Sequence, residues 1–140
     1  KRTIVVAVDD SKFSQFAIEW ATEHFLARDT DLVVLLNVRP RISAHAGNIV
    51  FSDKAEAANA DASRKILTMY ADLLHEKNFA CKAVGLVGNT KTELVREAQV
   101  LKADTIIIGS RGSNPVSKAL LGSVSDYVMH HAHCPVLVAR

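Results

Sequence analysis

The sequence has few of the residues that stabilise disulfide-rich or zinc-bound domains. It has two cysteines among 140 residues, and Cys81 and Cys134 stand far apart, outside any Cys-x-x-Cys spacing. This excludes a disulfide framework and a structural zinc site of the usual kind. We expect both cysteines to be reduced thiols that pack as small hydrophobes in an intracellular protein.

Long hydrophobic runs are also missing. The first apolar run, Ile4 to Val8, is cut off by Asp9 and Asp10 and is too short for the apolar region of a signal peptide. No stretch approaches the ~18 consecutive apolar residues of a membrane-spanning helix. The sequence therefore predicts a cytoplasmic protein without membrane contact.

Neither positively nor negatively charged residues are in large excess. The net charge is +2, the isoelectric point is near 8.6, and the lysines and arginines are scattered along the chain. No basic patch is evident, so we expect no nucleic-acid partner. A chain of 140 residues is long enough to bury a core without covalent staples, which predicts one domain over residues 1–140.

Common catalytic and metal-binding motifs are absent. The sequence contains no Walker A motif, no G-x-G-x-x-G fingerprint and no G-x-S-x-G nucleophile elbow. His130, His131, His133 and Cys134 are close in sequence, but helical spacing places His130 and His131 on different sides, and no second cysteine is near. We therefore assign no catalytic residue and no protein-held metal.

Apolar segments that alternate with amphipathic helices are present along the whole chain. Such alternation requires right-handed parallel crossovers. It predicts a doubly wound α/β sandwich of three layers, with a five-stranded, mostly parallel sheet and four helices. For this sheet we expect the strand order 3-2-1-4-5. The predicted strands are 3–8, 32–38, 80–87, 105–108 and 135–139, and the helices begin near Lys12, Asp53, Thr90 and Ser123. The segment 40–52 is predicted as a loop.

Half of the six glycines lie in one stretch near the end of the chain. An apolar run stops at Gly109, Gly112 follows, and Gly122 precedes Ser123, a good N-cap residue, and a helical pattern. Glycine lets backbone N–H groups approach an anion closely, and the following helix N-terminus favours negative charge. The order of strand, glycine loop and helix therefore predicts a phosphate site.

The spacing of these residues is G-x2-G-x9-G-S, with the flanks GSRG, LLGSVS and CPVLVAR. This pattern resembles the nucleotide-binding motif of the universal stress protein family, in its ATP-binding branch. The resemblance implies a stress-response module that binds ATP, with Mg²⁺ carried on the phosphates. It also implies a homodimer through the edge strand Val136–Ala139.

The same resemblance assigns the site residue by residue. It places Asp9 near the adenine and ribose and Val38 beside the base, while Ala7 and Val8 border the base through backbone and apolar contact. It places Gly109, Arg111 and Gly112 around the ribose and phosphates, and Gly122, Ser123, Val124 and Ser125 in the phosphate-binding turn.

Each assignment has an alternative. Asp9 is also a plausible cap of the first helix, the three glycines are compatible with tight turns alone, and Arg111 with a solvated side chain. A second acid, Asp10, would either repel the triphosphate or help to hold its metal. The functional alternatives are slow ATP hydrolysis or self-phosphorylation in the same pocket, and a dimeric interaction protein that binds no nucleotide. A flavodoxin-like FMN carrier is disfavoured because few aromatic residues lie near the loops.

Overall fold

The computed structural model describes residues 1–41, 45–46, 49–50, 53–111 and 121–140. The strands are β1 (Arg2–Ala7), β2 (Asp31–Arg39), β3 (His45–Ala46), β4 (Ile49–Val50), β5 (Ala80–Val87), β6 (Thr105–Gly109) and β7 (Val136–Ala139). The helices are α1 (Lys12–His24), α2 (Asp53–Glu76), α3 (Thr90–Val100) and α4 (Ser123–His131).

Five of the strands form one parallel sheet in the order β5-β2-β1-β6-β7. Counting these strands alone, the order is 3-2-1-4-5, so the predicted fold is confirmed. The two-residue strands β3 and β4 pair antiparallel in a separate ladder, within the segment predicted as a loop. Strands this short carry no periodicity from which a sequence pattern can be recognised.

The central strands are buried on both faces, as their continuous apolar runs predict. Ile4, Val5 and Val6 of β1 are each 0% exposed. Ile4 and Val6 pack with α1 and α2, whereas Val5 packs with α3 and α4 on the opposite face. The two-residue period of a strand thus divides one apolar run between two core layers.

The direction of the chain crossovers reverses at β1. From β1 the chain moves outward through β2 to β5, and it then returns to the other side of β1 to form β6 and β7. In open parallel sheets such a reversal creates a crevice beyond the carboxyl ends of the strands, where ligands bind. Among the described residues, no helix is long and apolar enough to cross a bilayer.

Candidate functional site

The backbone at the end of β1 is fixed by its neighbours. The N–H of Val8 donates to the carbonyl of Leu36 at 2.9 Å, and the carbonyl of Val8 accepts from Nδ2 of Asn37 at 2.8 Å. The buried Asn37 side chain is held in turn by the hydroxyl of Ser63, which donates to its Oδ1 at 2.6 Å. These hydrogen bonds therefore hold the end of β1 in place at one edge of the crevice.

Asp9 follows directly and turns its carboxylate toward the start of α1. Its Oδ1 accepts from the backbone N–H of Ser11 at 2.9 Å and from the hydroxyl of Ser14 at 2.9 Å. The N-cap of α1 is Ser11, whose hydroxyl also donates to Asp9 Oδ1. The capping alternative is thus correct in part: Asp9 organises the cap without occupying the N-cap position.

Two residues predicted beside the base share one apolar cluster with a residue of the predicted phosphate turn. Ala7 at the end of β1, the half-buried Val38 of β2 and the half-buried Val124 of α4 all pack in the layer between the sheet and α3 and α4. Val8 does not join them, because its side chain points into the opposite layer, beneath α1 and α2. The Val8 side chain is 4% exposed in that layer, and its predicted contact with a base stays a prediction.

The end of β6 lies directly against the first turn of α1. A Cβ atom built on Gly109 would lie 2.8 Å from the carbonyl oxygen and 3.0 Å from the Cβ of Phe13. Contacts this short are not tolerated between backbone atoms, so a side chain at this position would push α1 away from the sheet. Glycine is required at position 109 for packing, whatever else it does.

Ser110 brings the two ends of the glycine loop together. Its carbonyl accepts from the N–H of Gly122 at 2.7 Å and from the hydroxyl of Ser125 at 3.0 Å, and its own N–H donates to the carbonyl of Ala139 at 2.9 Å. Ser110 and Ser125 are 6% and 2% exposed. The Ser125 hydroxyl is therefore hydrogen-bonded inside the protein.

The N-terminus of α4 differs from those of α1 and α3. Ser11 caps α1 through its side chain, and Oδ1 of Asn89 caps α3 by accepting from the N–H of Thr92 at 3.3 Å. At α4 the N-cap position is occupied by Gly122, which has no side chain, and the next residue, Ser123, is exposed. The first N–H groups of a helix have no partners within it, so this end is suited to an anion.

Two predicted residues remain. Arg111 is half-buried, with its Cζ 5.9 Å from the ring centre of Phe13. Gly112 lies outside the described residues. The structure therefore places ten of the eleven predicted residues, and their backbones all lie at the carboxyl edge of the sheet.

Burial, with smaller contributions from the charges of Asp9 and Glu19, raises the pKa of Tyr70, so its phenol stays neutral. In the described part of the chain, no group of three or more His, Cys, Asp or Glu residues is arranged to hold a metal ion. His130 and His131 instead contact backbone carbonyls of α4 through Nδ1, and His131 stacks on Tyr127.

Sequence reasoning missed Asn37, Ser63 and Ser110, which position the site. Asn37 did carry a signal, since it is a lone amide within the apolar run of β2 and a buried polar group needs a partner. Ser63 and Ser110 gave none, because a serine in a helix or after a strand is ordinarily a surface residue.

Comparisons with known proteins point to one family. The family model described as "Universal stress protein family" matches residues 1–140. Universal stress protein PHOS32 of Arabidopsis thaliana is 37% identical over 158 residues, covering 100% of this chain and 65% of the relative. The chain thus spans just under two thirds of that relative's length.

Solved structures give the same fold. The structure of hypothetical protein MJ0577 superposes with a TM-score of 0.87 at 25% identity, covering 99% of this chain and 94% of the other. A universal stress protein family protein of Arabidopsis thaliana, At3g01520, was solved with AMP bound. It superposes with a TM-score of 0.76 at 25% identity, covering 99% of this chain and 91% of the other.

Proposed function

Because the chain belongs to the universal stress protein family, we propose that it binds ATP at the carboxyl edge of its sheet, in the cytoplasm, and signals nucleotide occupancy in a stress response. The observation that carries this proposal is the glycine-capped N-terminus of α4. It begins beside the end of β6, the neighbour of β1, at which the direction of the crossovers reverses. A phosphate bound there would meet the helix dipole.

The adenine end of the ligand is assigned to the other half of the crevice. Ala7 and Val38 supply apolar surface from adjacent strands, and they share a cluster with Val124 at the start of α4. A base packed there would place its phosphates toward the helix N-terminus. The AMP bound to the relative At3g01520 supports an adenine nucleotide as the ligand class.

The remaining residues take roles around the ribose and phosphates. Asp9, held in orientation by Ser11 and Ser14, is assigned to the ribose. Gly109, Arg111 and Gly112 are assigned to the ribose and phosphates, and the backbone of 122–125 to the phosphate turn. Mg²⁺ would arrive on the phosphates, because Mg²⁺ keeps several waters and binds readily to nucleotides.

Thermal unfolding of nucleotide-free protein, with and without millimolar Mg-ATP, tests the proposal. Ligand at about one hundred times its dissociation constant adds roughly 2.7 kcal/mol of stability, which is several degrees in a domain of this size. Gly122→Val should abolish the shift, since a branched side chain would cover the N-terminus of α4. Gly85→Ala is the matched control, because its added Cβ would meet only Leu67 and Ser63 at 3.6 and 3.8 Å.

A parent protein that is confirmed empty and does not shift would contradict nucleotide binding and favour the interaction-protein alternative. The same samples test turnover: phosphate release that is present in the parent and absent in Gly122→Val would make the pocket a slow ATPase.

We further propose a homodimer through β7. This strand lies at the edge of the sheet, pairs with β6 on one side only, and is apolar over Val136–Ala139. An unpaired apolar edge favours pairing with a second copy. Gel filtration with light scattering should give a dimer for the parent and a monomer for Val136→Lys. A monomeric parent would contradict the proposal.

A further inference from the structure

The outer surface of α1 carries a row of aromatic rings, Phe16, Trp20 and His24, which we call the α1 stripe. Phe16 is 42% exposed, Trp20 is half-buried and His24 is exposed. The three residues follow at four-residue steps, so they lie on one side of the helix. The rings of Trp20 and His24 stack with their centres 5.3 Å apart. A continuous row of partly exposed rings is typical of interaction surfaces.

The α1 stripe lies on the side of α1 that faces the edge strand β7. The helix packs on β6 and β7, and Phe16 borders the same cleft as Arg140, which directly follows β7. The other flank of the helix faces α2, because burial, then the charges of Asp9 and Glu19, raise the pKa of Tyr70 in α2. Glu19 and the α1 stripe thus belong to opposite flanks of the helix.

A dimer joined by β7 alone would have a small interface. The strand has four residues, whereas a specific interface buries about 1,200–2,000 Å² in total and uses roughly 20–30 residues from each copy. The β7 dimer therefore needs a further surface beside the strand. On one face of the sheet, that surface is provided by α1.

Antiparallel pairing of β7 with its copy would bring the two α1 helices together. Such pairing continues one sheet into the other, so both helices lie on the same face. Strands are about 4.8 Å apart, so a helix midway over β6 and β7 lies about 5 Å from the two-fold axis. The two helix axes would then be about 10 Å apart, a distance at which helices pack directly.

The heights of the residues along the axis also match. Gly109 pairs with Ala139 and lies against Phe13, so Phe13 is level with the end of β7. Three residues further along α1, Phe16 is about 4.5 Å lower, close to the middle of the strand. The two Phe16 side chains would therefore lie near the axis, and Trp20 of each copy would be level with Phe13 of the other.

The charges on this side of α1 are complementary between two antiparallel copies. Lys12 and Glu23 are both exposed and are 11 residues apart, which is about three helical turns, so they share one side of the helix near its two ends. Antiparallel packing brings Lys12 of each copy within one turn of the height of Glu23 of the other. Opposite charges placed in this way favour association and fix the register.

We propose that the α1 stripe contacts a second copy of this chain, with the two α1 helices packed antiparallel across the axis of the β7 dimer. This inference rests on the homodimer proposed above. It adds a second contact to the strand pairing and names the residues that the contact buries.

Trp20 is the only tryptophan of the chain and reports this contact without any substitution. Its quenching by acrylamide is measured over a range of protein concentrations, with light scattering on the same samples. The quenching constant should fall by about twofold or more as the dimer forms, because the core of an interface excludes water. Val136→Lys, the variant expected to be monomeric, should show no such change.

Phe16→Glu should raise the dissociation constant of the dimer by roughly tenfold or more, since it removes two aromatic contacts and places two carboxylates near the axis. Sedimentation equilibrium measures this constant, and circular dichroism checks that the substitution at this exposed position leaves the fold intact. Gln15→Glu is the matched control. It adds the same carboxylate on the α2 flank, where the Gln15 amide donates to Glu19 at 3.1 Å, and should change the constant by less than about twofold.

A parent that dimerises while Trp20 stays as accessible as in Val136→Lys would overturn the contact between the helices and leave the β7 dimer standing. A Phe16→Glu variant that dimerises as tightly as Gln15→Glu would do the same. A parent that stays monomeric at every concentration would contradict the homodimer itself, and this inference with it. Nucleotide binding is decided separately by the Mg-ATP thermal shift.

Discussion

Aspartate side chains have different roles at the amino and carboxyl edges of the sheet. At the amino edge, Asp31 and Asp104 tie strand ends together: Asp31 pairs with Arg2, and Asp104 Oδ2 accepts from the N–H of Thr3 at 2.7 Å. At the carboxyl edge, the Oδ1 of Asp9 accepts from the N–H of Ser11 and from the hydroxyl of Ser14, at the start of the helix that follows. The amino edge is thus closed by side chains, while the carboxyl edge carries a glycine-capped helix suited to a ligand.

The amino edge is fastened by a buried carboxylate. The Asp31 side chain is 0% exposed, and it accepts from Nε and Nη2 of Arg2, both at 2.7 Å, and from the N–H of Ala27 at 2.8 Å. Burial alone would raise the pKa of Asp31, but these hydrogen bonds and the charge of Arg2 lower it below its usual value. We therefore expect substitutions at the amino edge to change mainly the free energy of unfolding, and substitutions at the carboxyl edge to change mainly the affinity for nucleotide.

The largest effect should come from Asp31→Asn. The change removes the charge that Arg2 and the Ala27 N–H are arranged to meet. Because the Asp31 side chain is buried but that of Arg2 is 41% exposed, the loss should be about 2–3 kcal/mol of unfolding free energy. Urea unfolding measures this loss. The nucleotide dissociation constant should stay within a factor of about two, since Asp31 lies at the opposite edge.

The exposed pair of Asp61 and Arg64 provides the control for that change. Their side chains are 58% and 70% exposed, so Asp61→Asn should alter the unfolding free energy by less than about 0.5 kcal/mol. Equal losses in the two variants would contradict the special role of the amino edge.

The same carboxylate predicts a pH dependence. The folded pKa of Asp31 is lowered, so its stabilisation is present above the unfolded value of 3.8 and is lost as the pH falls through the folded pKa. We would measure the unfolding free energies of the parent and of Asp31→Asn from about pH 7 down to about pH 3. The difference between the two proteins should stay constant and should narrow only below the unfolded pKa of Asp31. If this difference in unfolding free energy disappeared near neutral pH, a titratable group other than Asp31 would be responsible for the pH dependence.

A smaller effect on stability, but a larger one on binding, is expected for Gly109→Ala. The new methyl would meet the Phe13 backbone at 2.8 Å and displace α1, which costs about 1–3 kcal/mol. Because α1 carries the cap that orients Asp9, nucleotide affinity should fall by roughly tenfold or more. Calorimetric titration with nucleotide measures this affinity. Gly85→Ala, with space for its methyl, should leave both quantities nearly unchanged, and unchanged affinity in Gly109→Ala would refute the coupling.

The smallest effect should come from Ser63→Ala. It removes the donor to the buried Asn37 Oδ1, and the loss of one such hydrogen bond costs about 1 kcal/mol. The end of β1 would lose part of its support, so affinity should fall only about twofold. The control is Thr68→Ala, which removes a hydroxyl from an exposed position of α2. An effect of Ser63→Ala no greater than that of Thr68→Ala would remove Asn37 from the positioning network.

Much of the fold could be predicted because apolar runs and helical periodicity mark each large element. The bounds of β5 agree with the predicted 80–87 segment, and the edge position of β7 follows from its place at the end of a doubly wound sheet. The position of Gly109 against Phe13 could not be predicted, because it depends on how α1 packs on the sheet.

The site was predictable only in outline. The glycine spacing located the loop and the start of α4, since those signals are local in sequence. The orientation of Val8 into the layer of α1 and α2 depends on strand register. The hydrogen bonds of Ser110 join residues from three separate segments of the chain. Long-range hydrogen bonds of this kind leave no mark in a single sequence.

The most direct test of the account is a nuclear magnetic resonance titration of isotope-labelled protein with Mg-ATP, following backbone amide shifts at both edges. The account predicts that the perturbed amides concentrate at 7–11, 37–39, 109–111 and 121–125, while those at 2–3, 27–31 and 104 stay within noise. Perturbation centred on the amino edge, or none at saturating nucleotide, would contradict the claim that the carboxyl edge is the binding site.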